Sequence, residues 1–246
     1  MSQIIQSTKI INGVDLKTPE LIDPPLYAEV GEAPKKLIVA CVWWGNKYGR
    51  NYVEKLRNSV KRNLSIPYEM VCITDRDDVP EEIRKIEAPK NSEGWWQKVN
   101  LFKEDIFPKD SRVLYLDLDI VITNSLDDIV KSKGEIVMIE NFGPNKKHAA
   151  YNSSCMVWTP NDNTQRIHNA FSKEITKELH GDQCWIWRVM TDEKIRAFRK
   201  DLAESYKYNT RTRQWKRSSK NTAVWVFHGK PDPHEVKDRF IVDNWR

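Results

Sequence analysis

Long apolar runs are missing from this sequence. None approaches the roughly 18 residues that a membrane-spanning helix needs. The first residues, MSQIIQSTKIING, lack the basic start and extended apolar stretch of a secretion signal. Cysteine is scarce too. The four present, Cys41, Cys72, Cys155 and Cys184, are scattered among apolar or aromatic neighbours, and no pair has metal-ligand spacing. They read as reduced thiols of a cytoplasmic protein, with Cys41, Cys72 and Cys155 in the core. No internal repeat is found. Neither charge sign dominates: 40 basic against 35 acidic residues leave +5, which suits an anionic ligand such as a nucleotide and permits nucleic acid without demanding it. The 246 residues are enough for a sizeable core, and 39% hydrophobic with 30% charged residues predicts a soluble globular chain.

Tryptophan, by contrast, is abundant. Ten are present, four of them in the pairs Trp43-Trp44 and Trp95-Trp96. Core packing accounts for about half. The others are candidates to line a pocket, because bases and sugars both offer flat faces to aromatics.

Residues 1–33 carry Pro19, Pro24 and Pro25 without clear periodicity and read as an N-terminal arm. From Lys35 the pattern changes. KLIVACVWW is a near-continuous apolar run, the mark of a strand buried on both faces. YVEKLRNSVKRNL has helical spacing, and YEMVCITD is a second buried strand. A short strand lies near Ile86, and GWWQKVNLFKEDIF reads as a helix stopped by Pro108. After the strand RVLYL, LDDIV reads as a short helix capped by Asn124 or Ser125. GEIVMIE and YNSSCMVW are further strands. NDNTQRIHNAFSKEITKEL predicts one capped amphipathic helix and GDQCWIWRVM another. AVWVF is a strand that runs into the polar loop HGKPDPHE. This alternation predicts an α/β fold, a mostly parallel sheet with right-handed crossovers and flanking helices. Ligands in such sheets bind beyond the carboxyl ends of the strands. Trp43 to Asn46, Asp75, Asp117, Asp119, Asn152 to Ser154 and His228 to Lys230 should therefore gather in space.

The segment RVLYLDLDIVITNSLDDI puts Asp117 and Asp119 inside an apolar run. Read as one strand, it would point both carboxylates to the same face, where they repel unless a cation sits beside them. Mg²⁺ or Mn²⁺ meets that need with one or two carboxylates, completed by phosphate oxygens and water. A strand end whose acids cap the next turn is the plainer alternative. His228 follows a strand as well, and an imidazole can join carboxylates on Mn²⁺. Two residues later, Lys230 can hold a phosphate as a point charge. Taken alone, this piece reads equally as a turn with a partly exposed histidine.

Together, LYLDLDIVITNSLDDI, YNSSCMVW, HGDQ and FHGKP, in this order, resemble the GT-A glycosyltransferases, and within them the glycogenin-like family 8 group. The resemblance runs from about Lys35 to Pro233. It implies a GT-A, Rossmann-like fold with a smaller mixed sheet toward the C-terminal half. Residues 34–246 would form one catalytic domain, its nucleotide-binding half at about 34–125 and its sugar and acceptor half at about 126–246. It further implies a hexosyltransferase-like enzyme, a nucleotide-sugar donor (most often a UDP-sugar), Mn²⁺ or Mg²⁺, and retention of anomeric configuration. Asp117, Asp119 and His228 would hold the metal, with Asp117 also touching the ribose or sugar. Val42, Trp43, Trp44 and Tyr48 would cradle the nucleoside, with Asp75 on the base. Lys98, Leu118, Asn152 and Ser153 would face the donor, and Gly229 with Lys230 would meet the diphosphate. Asp182 and Gln183 would face the reacting carbon. The chain departs from the family pattern at Cys184, where a second acid is usual, at Ser154 in place of a glycine, and in HGKPDPHE, which lacks a final tryptophan.

The acceptor is left open among a glycan, a lipid-linked sugar, a protein and DNA. NTRTRQWKRSSKN holds Arg211, Arg213, Lys216, Arg217 and Lys220 around Trp215. Such a run can track a nucleic-acid backbone and stack a base, can form a lid over an anionic donor, or can be a solvated loop. A transferase acting on modified DNA bases, a nucleotide-sugar hydrolase or nucleotidyltransferase on a similar sheet, and a non-enzymatic nucleic-acid binder are the rival readings. The binder alone leaves the paired aspartates and the DQ pair unexplained.

Overall fold

The computed structural model of the chain describes residues 9–90, 93–143, 149–212 and 220–246. A short hairpin, β1 (Ile10–Ile11) and β2 (Val14–Asp15), precedes β3 (Leu37–Trp43), α1 (Arg50–Asn63), β4 (Glu69–Thr74) and β5 (Arg84–Glu87). A 3-10 helix over Gly94–Phe102 leads to β6 (Arg112–Leu116), β7 (Val121–Ile122), α2 (Asp127–Val130), β8 (Ile136–Glu140) and β9 (Tyr151–Trp158). Then come α3 (Asp162–Asn169), α4 (Ile175–Glu178), α5 (Asp182–Lys194), β10 (Ile195–Ala197), β11 (Ala203–Ser205), α6 (Tyr206–Thr212), β12 (Val224–Val226) and α7 (Arg239–Asn244).

Seven strands form the main sheet in the order β10-β8-β9-β6-β3-β4-β5. All its pairings are parallel except those of β9, which runs antiparallel to both neighbours. The apolar runs serve two faces at once. Val39, Cys41, Trp43, Leu114 and Leu116 pack with α1 on one side. Ile38, Ala40, Val113 and Tyr115 pack with the 3-10 helix and α5 on the other. Period-2 alternation thus buries both faces of each strand. A small mixed sheet, β11-β12-β7, stands beside the first.

Four local expectations change. The short helix α2 has Leu126 at its N-cap with no side-chain cap, so neither Asn124 nor Ser125 is its N-cap. The segment after Gly94 is a 3-10 helix ending at Phe102, well short of Pro108. Its polar Gln97, Lys98 and Asn100 are all buried and bonded to partners, so tertiary contacts outweigh the α-helical period. The stretch 161–179 is two helices, with a break at Ala170; Asn161 does cap the first, in a capping box with Thr164. Most important, Asp117 and Asp119 do not lie in a strand. β6 stops at Leu116, and the next four residues turn from the main sheet into β7 of the small one. A chain crossing between sheets, and not strand parity, sets where these acids point.

The described part of the arm lies on the body. The buried Arg188 guanidinium donates to Leu16 O at 2.9 Å and Thr18 Oγ1 at 3.2 Å, and Ile22 N–H donates to Asp192 at 2.9 Å. Ala28 and Leu26 exchange backbone hydrogen bonds with Ala197, covering the outer edge of β10. Arg188→Leu should strip a buried carbonyl of its donor. It is expected to cost roughly 1–3 kcal/mol in urea unfolding and to speed tryptic cleavage after Lys17. An unchanged cleavage rate there would show that other contacts hold the arm.

Candidate functional site

The carboxyl ends of β3, β4, β6 and β8 share one sheet edge because these strands run parallel. There the β3–α1 loop, the start of the 3-10 helix and the turn after β6 enclose a cavity of about 320 Å³. Val42, Trp44, Tyr48, Lys98, Asp117, Leu118 and Asp119 line it, and so do Asn46, Lys47, Gly94, Trp95 and Tyr115. A second cavity of about 270 Å³ is lined by Trp95, His180, Gly181, Asp182, Gln183 and Cys184. A larger one, about 450 Å³, lies past β8 among Phe142, Phe198, Arg199, Lys200 and Glu204. The first two hold the charge cluster, so the chemistry is sought there.

Between Asp117 of the first cavity and Asp182 of the second lies the buried ammonium of Lys98. It lies 2.9 Å from Asp117 Oδ1 and 3.7 Å from Asp182 Oδ2, and it donates to Ser153 Oγ at 3.2 Å. Burial alone would lower its pKa; the carboxylates of Asp117 and Asp182 overcome that and hold it above the ordinary lysine value. Tyr115 also donates to Asp117, at 2.5 Å. Asp182 begins α5, and Gly181 rather than Asp182 occupies the N-cap. Its Oδ2 is buried without a hydrogen-bond donor. Burial pushes its carboxyl pKa up, with Lys98 opposing.

Asp119 is served differently. Its hydrogen-bond donor is the neutral hydroxyl of Tyr48, at 2.7 Å. Burial and the nearby Asp117 push its pKa up to about 6. Tyr48 stays protonated, since burial and Asp119 both raise its own pKa. Asp117 thus has a cation and Asp119 does not. A deficit of positive charge beside two carboxylates in an open cleft fits a hard divalent cation.

The antiparallel register Trp225↔Val121 carries the chain after β12 back toward Asp119, and His228 follows directly. Its imidazole, however, bonds Ser205 Oγ through Nε2 at 2.7 Å and stacks on Phe142. Among the described residues, no group of three His, Cys, Asp or Glu side chains is arranged to hold a metal. Lys230 is drawn to Asp232 and Glu235, each at 2.8 Å, and these contacts raise its pKa. Gly229 has φ +74°, a left-handed turn that favours glycine. Trp43 is fully buried, its indole donating to Tyr48 O at 2.8 Å; strand alternation turns it to the core and leaves Trp44 at the cleft. Asp75 accepts from Gly45 N–H at 3.2 Å and so anchors the β3–α1 loop. Asn152 is buried and accepts from Ser154 N–H at 2.9 Å. Arg213, Trp215, Lys216 and Arg217 of the basic run lie outside the described residues. Tyr115 and Trp95 were not singled out as site residues: both sit in apolar sequence that reads as core, and only the Trp-Trp pair hinted at an aromatic left over for a pocket.

This architecture is the GT-A glycosyltransferase fold. No protein-family model and no curated protein sequence matches the chain, but solved structures do. One is the galactosyltransferase LgtC in complex with donor and acceptor sugar analogues: TM-score 0.56, 14% identity, 80% of this chain and 88% of that one. Another is the glycosyltransferase GlyE of Streptococcus pneumoniae TIGR4: TM-score 0.59, 13% identity, 85% of this chain and 60% of that one. The bifunctional glycosyltransferase WbbM gives TM-score 0.58, 10% identity, 89% of this chain and 50% of that one. Identities this low carry the fold. No helix among the described residues is long and apolar enough to cross a membrane.

The raised Asp119 pKa has a stability consequence without divalent ions. The folded state binds the proton more tightly than the unfolded chain, so stability falls as pH rises from about 4 to about 6. Above that window the penalty is on the order of 2–3 kcal/mol. Asp119→Asn should remove it, raising the metal-free melting temperature at pH 7.5 and leaving it nearly unchanged at pH 4. Thermal unfolding across pH checks this; a melting temperature lowered at neutral pH would refute it.

Proposed function

We propose that this protein is a metal-dependent glycosyltransferase. It moves a sugar from a nucleotide-sugar, of the UDP class, to an acceptor hydroxyl with retention of configuration. The observation that carries the reading is the buried ammonium of Lys98, which lies between Asp117 of the first cavity and Asp182 of the second. On this reading a diphosphate at Asp117 and Asp119 and a sugar at Asp182 would lie side by side. The fold, common to glycosyltransferases of three kinds, supports it.

The nucleoside enters the cleft against Val42, Trp44 and Tyr48. Asp119 and Asp117 would hold the divalent ion, with His228 joining them once its imidazole leaves Ser205. Bound there, the ion would stabilise the charge that grows on the departing diphosphate. Lys230 adds a second positive charge by exchanging Asp232 and Glu235 for phosphate. These are exposed-lysine contacts, worth little in water. Asp182 offers its undonated Oδ2 to a sugar hydroxyl, which orients the ring and faces the oxocarbenium-like transition state with negative charge. Gln183 lines the same cavity. Asn152 and Ser153 support this side, Ser153 through Lys98. The acceptor enters from the groove of Phe142, Phe198, Lys200 and Glu204, which has an aromatic floor and a polar rim.

Thermal unfolding with a panel of UDP-, GDP-, TDP- and ADP-sugars tests the proposal. One UDP-sugar with Mn²⁺ should raise the melting temperature by about 2–4 °C near saturation, and Asp119→Ala should abolish the rise. Silence across the whole panel sinks the reading. With a donor identified, Asp182→Asn should retain the melting shift and lose roughly 100-fold or more in kcat for donor hydrolysis or transfer. Undiminished kcat would remove Asp182 from the mechanism.

A further inference from the structure

Trp95 is the side chain that the two cavities have in common. It is 59% exposed, an unusual position for an indole in a chain whose Trp43, Trp158, Trp185, Trp187 and Trp225 are fully buried. The backbone explains how it comes to stand there. Gly94 takes φ +59°, a left-handed conformation that glycine adopts without steric cost, and this turns the chain into the 3-10 helix. Trp96, the next residue, is then buried against Phe171, while Trp95 projects the other way. Its indole lies against Gly181, where an added β-carbon would touch Nε1 at 3.4 Å. Gly181 is the N-cap of α5, immediately before Asp182.

Placement at this boundary has a chemical meaning. A nucleotide-sugar whose diphosphate sits at Asp119 and whose anomeric carbon faces Asp182 must run from the first cavity into the second. The part that crosses is the sugar. Asp117 and Asp182 both lie within 3.7 Å of Lys98 Nζ, so the crossing is short. The buried Oδ2 of Asp182, which has no hydrogen-bond donor, marks the far end as a place for a hydroxyl. An indole face beside that path offers a flat apolar surface to the C–H face of a pyranose.

Building on the transferase reading, we propose that Trp95 is a specificity-determining residue that stacks on the donor's sugar ring and not on its base. The distinction is measurable. Titrations of UDP and of a panel of UDP-hexoses, all with Mn²⁺, would be followed by calorimetry for wild type, Trp95→Ala and Trp95→Phe. Wild type should bind at least one UDP-hexose more tightly than UDP. Trp95→Ala should leave the UDP Kd within about twofold and weaken that UDP-hexose roughly three- to tenfold, the worth of one aromatic contact. Trp95→Phe should recover most of the loss. Because the side chain is largely exposed, the alanine variant is expected to fold, and its circular dichroism and melting temperature check this. Equal weakening of UDP and UDP-hexose would overturn the proposal and assign Trp95 to the base or the fold. No weakening of either, or a wild type that does not distinguish any UDP-hexose from UDP, would overturn it as well. A wild type that binds neither UDP nor any nucleotide-sugar would bring down the transferase reading together with this one, an outcome distinct from the others.

Discussion

One buried ammonium organises this cleft. Lys98 arrives on a 3-10 helix, Asp117 on the turn after β6, Ser153 on β9 and Asp182 on the first turn of α5. All converge on Lys98 Nζ. A lysine this deeply placed is costly, and removing it would strand two carboxylates, which is costlier still. The four elements are therefore locked to one another by charge at a point where apolar packing would have left an ordinary core. The same cation reaches Asp117 in one cavity and Asp182 in the other, and Trp95 lines both.

The second organising feature is the crossing between sheets. β6 belongs to the main sheet and β7 to the small one, with only Asp117 to Ile120 between them. The hydrogen bond from Asp117 N–H to Ser154 O, 2.8 Å, fixes where the crossing begins. β12 pairs with β7 and brings the HGK loop back to the same place. A ligand site at the carboxyl edge of parallel strands is usual for such sheets. Here the second sheet leads the chain after β12 back toward Asp119, with His228 on Ser205 and Lys230 on Asp232 and Glu235.

The strands were legible because both-face burial writes a continuous apolar run, and KLIVACVWW and RVLYL had no other reading. The helix caps were legible where a side chain does the capping, as at Asn161. The acids were legible as a pair but not in their geometry: LDLDIVI has no glycine or proline to announce that the strand stops at Leu116. The helix over Gly94–Phe102 is 3-10 and not α, and its Lys98 is held by Asp117 and Ser153, partners that no local window contains. Trp43 and Trp44 are adjacent identical residues with opposite fates, decided by strand parity. Trp95 and Trp96 part as well, on the 3-10 helix, and nothing local says which of the two is left in the open.

The charge balance at the rim says what the cleft lacks. Lys47 lies 3.7 Å from Asp232, Lys98 is held by Asp117, and Lys230 by Asp232 and Glu235. Each of these cations already faces a carboxylate. Asp119 is the acid left facing a neutral hydroxyl, with Asp117 beside it. A bare diphosphate arriving here would meet ammonium groups that are engaged and a carboxylate that repels it. A diphosphate that shares a divalent cation with Asp119 meets the opposite situation. The cation supplies the missing charge, and the exposed lysines can change partners at little cost. On the proposed reading, the arrangement would favour cation and diphosphate binding together over either alone, because each would remove the electrostatic penalty that the other faces.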